Sequence, residues 1–155
     1  PVYLRFGRPK VANFTPLNQH FEIGKGLLLK PGSDVTIIAT GHLVWEALQA
    51  AEVLSSQSIN AEVINIHTIK PLDRSMIIES VTKTKCVVTA EEHNVFGGLG
   101  ESVAGLLAQE LPSPQEYVAM QDSFGESGTP AQLMNKYGLN SEAIVDKTKK
   151  VLLRK

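Results

Sequence analysis

Val35-Thr36-Ile37-Ile38-Ala39-Thr40-Gly41-His42 decides the fold: a β-branched apolar run stops at a glycine and a histidine, then gives way at once to a helical pattern. The same event recurs. Residues 62–66 run into His67 and residues 86–91 run into His93, each followed by helical spacing. Repeated strand, polar end and amphipathic helix is the pattern of parallel strands joined by crossover helices. In such an α/β sheet, ligands and partners meet the carboxyl ends of the strands. His42, His67, Glu92, His93 and Asp122 all fall at strand ends and are expected to share that edge.

Working outward, the helix after the first run carries Val44, Ala47, Leu48, Ala51 and Leu54 on one face, the spacing of a crossover packed on a sheet. Residues 26–30 form a short apolar strand bounded by Pro31 and Gly32; from the residues alone it is expected to make a hairpin with the next strand. Asp73 is the expected N-cap of a helix with Met76, Ile77 and Val81 inside. Gly97, Gly98 and Gly100 open another, with Val103, Leu106, Leu107 and Leu111 inward, and residues 116–120 form the last strand. Thr129, Pro130 and Gln132 make a capping box with proline at the first helical position, and Gly138 stops that short helix. A final amphipathic helix begins at Ser141; its Lys149, Lys150, Arg154 and Lys155 are expected to lie in solvent and complement the helix dipole.

The N-terminal stretch is different. Val2, Leu4 and Phe6 alternate with Tyr3 and Arg5 as in a half-buried strand, which Gly7, Arg8 and Pro9 end. That strand has no evident neighbour, and residues 11–21 lose periodicity in Asn13, Thr15, Pro16, Asn18 and Gln19, as a linker does. The chain opens on Pro1, directly in a strand pattern, and is expected to be a piece of a longer protein. Because unpaired strand edges seek partners, residues 1–16 should be disordered, folded back or paired with a neighbouring chain.

A chain of 155 residues suffices for one domain with a real core, since folding at this size removes roughly two thirds of the unfolded chain's surface from water. With 43% hydrophobic and 20% charged residues it has an ordinary globular composition, and no apolar stretch approaches the roughly 20 residues of a membrane span. A net charge of -1 without a basic patch argues against nucleic acid as a partner. The single Cys86, inside an apolar run, is expected to be a buried, inert thiol and fits a reducing cytoplasm.

Candidate chemistry gathers at the strand ends. Glu91, Glu92 and His93 place carboxylates beside an imidazole, a pairing suited to proton transfer near neutral pH. Neighbours in a strand point to opposite faces, however, so Glu91 and Glu92 cannot both aim at one substrate. A metal site could be drawn from His42, His67, His93 and Asp122, but it needs separate loops and lacks the short spacing that pre-forms such sites. The glycines at 97, 98 and 100 miss the dinucleotide fingerprint, because Val103 stands where its last glycine is required. Free N–H groups at that helix start, or after Gly41, could take a phosphate. Arg8, held between Gly7 and Pro9, is placed to present a guanidinium to phosphate or carboxylate.

Ala39-Thr40-Gly41, Glu46-Ala47, Ala50-Ala51-Glu52, Thr68-Ile69-Lys70-Pro71-Leu72-Asp73, Glu91-Glu92-His93, Gly97-Gly98-Leu99-Gly100 and Asp122-Ser123-Phe124-Gly125-Glu126-Ser127-Gly128 occur in that order. Together, over residues 21–153, they resemble the C-terminal domain of transketolase, most closely the C-terminal subunit of transketolases split into two chains. The resemblance implies a three-layer α/β/α sandwich on a five-stranded, mostly parallel sheet whose first strand, here residues 26–30, is an antiparallel edge. It also implies a division into residues 1–8, the last strand of a truncated pyrimidine-binding domain, residues 9–22, a linker, and residues 23–155, the C-terminal domain.

The same resemblance implies a transferase that moves a two-carbon ketol unit between sugar phosphates in the pentose phosphate pathway. Thiamine diphosphate and a divalent cation are then held between diphosphate- and pyrimidine-binding domains, with no cofactor expected in this chain. Arg8 falls where the family has an arginine on the substrate phosphate, while nothing matches the cofactor-activating glutamate or the Gly-Asp-Gly metal motif. The chain is therefore expected to be inactive alone and to buttress a homodimer. Where many relatives read Asp-Arg-Phe, this chain reads Asp122-Ser123-Phe124 and has no arginine there to make a salt bridge. Two cousins share the domain, 1-deoxyxylulose-5-phosphate synthase and the β chain of 2-oxo acid dehydrogenase E1. A rival of another class is an anion- or nucleotide-binding regulatory module using His42, His67, Glu92, His93 and Asp122.

Overall fold

The computed structural model describes residues 1–7 and 11–155. Among them, the strands are β1 (Leu27–Lys30), β2 (Val35–Ala39), β3 (Ala61–Asn65), β4 (Val87–Asn94) and β5 (Gln115–Met120). The helices are α1 (Leu43–Ser56), α2 (Arg74–Thr84), α3 (Leu99–Glu110), α4 (Pro130–Lys136) and α5 (Ser141–Leu152). The sheet order is β1-β3-β2-β4-β5, with β1 antiparallel to β3 and the remaining pairs parallel.

Side-chain alternation along the strands divides the core into two layers. Val35, Ile37 and Ala39 of β2 and Val88 and Ala90 of β4 pack with α1 and α5 residues such as Leu43, Leu54, Ile144 and Val151. Ile38, Ile64, Ile66 and Val87 pack instead with Ile77 and Val81 of α2 and Val103 and Leu107 of α3. All five residues of β2 are buried, as a central strand covered on both faces requires. The parity of each strand thus decides which helix a residue meets.

The hairpin expected from the residues alone does not form. β1 pairs with β3, and β2 lies on the far side of β3. Gly32 shows how the chain crosses: a Cβ there would sit 2.2 Å from the Glu62 backbone nitrogen, so the connection passes tightly over the start of β3. The antiparallel edge implied by the family resemblance is the arrangement found.

Residues 1–7 form no strand, which corrects the expectation from their alternation. A strand requires a neighbour for its N–H and C=O groups, and the segment instead lies back on the domain with Val2, Leu4 and Phe6 exposed. Arg8 lies outside the described residues. The linker stretch also packs: Phe14 stacks on Trp45 with centroids 6.3 Å apart, and Phe21 on His67 at 4.5 Å.

Polar groups reinforce the layers. Asp73 caps α2 by accepting from the Met76 N–H and also accepts from the Gly26 N–H at 3.0 Å, tying β1's approach to the helix. The capping box at Thr129 and Gln132 is present. Beneath α2, Glu62 accepts from Ser80 Oγ at 2.5 Å and pairs with Lys83, while Thr36 Oγ1 lies 2.6 Å from both Ser80 and Thr84. Burial pushes the Glu62 carboxyl up, but the bonds from Lys83, Ser80 and the Gly32 N–H outweigh it and hold the carboxyl below its ordinary value. Cys86 is fully buried, and burial raises its thiol.

The C-terminal cations do more than lie in solvent. Lys147, Lys150 and Arg154 converge on the buried Glu116 carboxylate at 3.3, 3.0 and 2.7 Å. Burial alone would raise the Glu116 carboxyl; the bonds from Lys150, Lys147 and Arg154 bring it below its ordinary value instead. A lowered folded value means a contribution present above the unfolded carboxylate range and lost as pH falls through the folded value. Glu116→Gln should therefore cost about 1–2 kcal/mol at neutral pH, discounted because the cations are half exposed. Urea denaturation as a function of pH should show that difference shrinking toward zero in acid.

Candidate functional site at the carboxyl edge

β4 runs on to Asn94, with an irregular register against β5 between Ala90 and Asn94. Within it Glu91 and Glu92 separate as alternation demands. Glu91, on the α3 face and 2% exposed, accepts the backbone N–H groups of Leu99 and Gly100, each at 2.8 Å. These are the first N–H groups of α3, whose N-cap Gly98 has no side chain to serve them. A Cβ on Gly98 would lie 2.1 Å from the Glu91 carboxylate, so glycine is what admits it. The helix N-terminus proposed from sequence as a phosphate cradle is filled by the chain's own carboxylate.

Glu92 turns to the α1 face. Its carboxylate lies 2.5 Å from Nδ1 of His42, the N-cap residue of α1, and 3.4 Å from Arg5 of the N-terminal segment. His42, Glu92 and Arg5 form one end of a groove of about 400 Å³, floored by Met120, Leu133, Met134 and Leu139 and bounded by Glu126 and Tyr137. Glu126 pairs with Lys136 and accepts from the Tyr137 hydroxyl at 3.0 Å. The groove is mostly apolar, with ionic groups at its rim. A second hollow of about 330 Å³, around Tyr117 and Arg154, lies at the opposite end of β5 and contains none of these residues.

The remaining strand-end residues do not converge with them. His93 Nδ1 lies 2.9 Å from the Asn94 carbonyl oxygen, and Asn94 donates to Asp122 at 3.2 Å, making a separate exposed cluster. His67 Nδ1 lies 2.8 Å from Thr68 Oγ1 and its ring rests on Phe21; burial lowers its imidazole below the ordinary range. Among the described residues, no group of three or more His, Cys, Asp or Glu side chains is arranged to hold a metal ion. That donor set, with the α3 N-terminus taken by Glu91, does not fit thiamine diphosphate and its cation. Arg5 and the structural duty of Glu91 were not read from the sequence. The legible signal for Glu91 was strand parity, which aims it at the helix opened by the following glycines.

Among the described residues no helix is long and apolar enough to cross a membrane. An α/β domain with a mixed five-stranded sheet and polar carboxyl edge is the class these features define. The model of the transketolase C-terminal domain matches residues 24–144, and the chain belongs to that family. It is 45% identical over 155 residues to the 6-deoxy-6-sulfo-D-fructose transketolase subunit SqwH of Clostridium sp. (strain MSTE9), covering 100% of this chain and 48% of that protein. It is 42% identical over 147 residues to a putative transketolase C-terminal section of Methanocaldococcus jannaschii, covering 93% of this chain and 46% of that protein. The 1-deoxy-D-xylulose-5-phosphate synthase 1 of Geobacter sulfurreducens is 38% identical over 160 residues, with 100% and 25% covered. A solved structure described as "Split gene transketolase, inactive beta4 tetramer" superimposes with a TM-score of 0.91 at 44% identity, over 94% of this chain and 48% of that one. The chain thus spans about half the length of the split-subunit relatives it matches.

Glu91→Gln removes one acceptor oxygen and the charge that faces the α3 dipole. It should destabilise the domain by about 1–3 kcal/mol. Urea midpoints measure this, and an unchanged midpoint would show that the cap contributes nothing.

Proposed function

We propose that this chain is the C-terminal part of a split, thiamine diphosphate dependent transketolase whose complete form moves a two-carbon ketol unit between sugar phosphates. The observation that carries the reading is the full-length match to SqwH, a transketolase subunit of which this chain spans nearly half. The missing part supplies the diphosphate- and pyrimidine-binding domains and, with them, the cofactor and its divalent cation. Residues 1–8 belong to the pyrimidine-binding domain, residues 9–22 link it to the C-terminal domain at 23–155, and Arg8 anchors the substrate phosphate.

The chain's own contribution is architectural: it buttresses a homodimer of the complete enzyme and is inactive by itself. Support for that inactivity comes from the donor set at the carboxyl edge, which does not suit the cofactor, and from the similar solved structure described as an inactive tetramer. A cytoplasmic setting accords with the lone buried Cys86. A deoxyxylulose phosphate synthase is the second reading, favoured by the 38% identity to that enzyme, although the chain spans only 25% of it.

The complete enzyme, supplied with thiamine diphosphate and magnesium, should transfer a ketol unit from D-fructose 6-phosphate or 6-deoxy-6-sulfo-D-fructose to an aldose phosphate. Product chromatography checks this, and formation of 1-deoxy-D-xylulose 5-phosphate instead would overturn it in favour of the synthase. Turnover by this chain alone would refute the architectural role. Arg8→Ala should raise KM for the anionic donor at least about tenfold, and an unchanged KM would remove Arg8 from the substrate.

A further inference from the structure

We propose that His42 and Glu92 clamp the chain at Arg5 and Gly7 and thereby set the approach of Arg8, which makes them positioning residues for the anionic end of the substrate. The proposal rests on the Arg8 reading above and adds the device that aims that arginine. Its basis is a pair of contacts made two residues apart on one short segment. The Glu92 carboxylate reaches Arg5 at 3.4 Å and His42 Nδ1 at 2.5 Å. The other side of the same imidazole faces Gly7: a Cβ built there would lie 2.4 Å from His42 Cε1 and 2.5 Å from Nε2. Only glycine at position 7 lets the backbone lie against the ring, and Arg8 is the next residue.

Both clamping side chains come from fixed parts of the fold. His42 sits between β2 and α1, and Glu92 lies within β4 on the face that parity assigns to α1. The Glu92 side chain is 22% exposed and that of His42 25%, whereas Arg5 is 51% exposed, so the domain is the anvil and the segment is what is held. An ion pair as exposed as Arg5 with Glu92 contributes little to stability. Its effect is to restrict the path of the chain. For a guanidinium that must meet an anion bidentately, a displacement of about 1 Å can cost up to about 100-fold.

The test uses the complete enzyme and the anionic donor that it turns over, alongside the Arg8→Ala control. Gly7→Ala and Glu92→Gln should each raise KM for that donor about tenfold with kcat within about twofold, while the thermal midpoint stays put. The double variant Gly7→Ala/His42→Ala, which makes room for the new methyl, should recover part of the lost affinity relative to Gly7→Ala. The proposal is overturned if Arg8→Ala raises KM but Gly7→Ala does not, or if His42→Ala worsens the Gly7→Ala enzyme additively. A silent Arg8→Ala enzyme would instead defeat the substrate-anchoring reading on which the clamp depends.

Discussion

The Glu91 carboxylate, buried beneath α3 and accepting that helix's first two N–H groups, is the interaction on which the carboxyl edge depends. A helix start leaves N–H donors without intrahelical partners, and burying them unpaired costs more than the bond itself returns. Glycine at 98 cannot supply a cap, so the acceptor must come from elsewhere. β4 supplies it, which locks the end of the strand to the helix that follows. The same lock fixes the parity of the next residue.

Glu92 is therefore delivered to the opposite face, against His42 and Arg5. Two adjacent carboxylates, alike in chemistry, divide between an inward structural duty and an outward contact with the N-terminal segment. The edge that open α/β folds use for ligands is here closed by the chain's own groups. Glu91 takes the α3 terminus, Glu92 engages His42, and Asp122 accepts from Asn94. This is what a supporting domain presents when the reacting centre is built elsewhere, and it accords with membership of the transketolase C-terminal domain family.

Local physics made much of this legible. Runs such as 35–40 and 62–66 carry their own periodicity, and Asp73 and the Thr129 box announce helix starts through short-range hydrogen bonds, so strands and caps were readable without tertiary information. Long-range partners were not. Nothing near Gly32 says that β2 lies beyond β3, because the crossing depends on backbone contact with residues 61 and 62. Likewise Glu62, Ser80 and Thr84 read as ordinary polar positions until the sheet and α2 bring them together. The N-terminal alternation misled for the opposite reason: a strand pattern specifies a face to bury, and residues 1–7 have no partner strand. Of the strand-end residues, His42 and Glu92 meet, whereas His67 turns to Thr68 and Phe21, a choice made by packing.

The account also explains why this small set of charges matters more than its number suggests. The deeply buried carboxylates each answer a specific donor group: Glu62 meets Ser80 and Lys83, Glu116 meets the α5 cations, and Glu91 meets the α3 backbone. Site-resolved amide hydrogen exchange on the isolated chain tests the central lock most directly. The account predicts that the Leu99 and Gly100 amides, though in the first turn of a helix, are protected nearly as well as the core of β4 and lose that protection in Glu91→Gln. Exchange at Leu99 and Gly100 as fast as at exposed loop amides in the unaltered chain would contradict it.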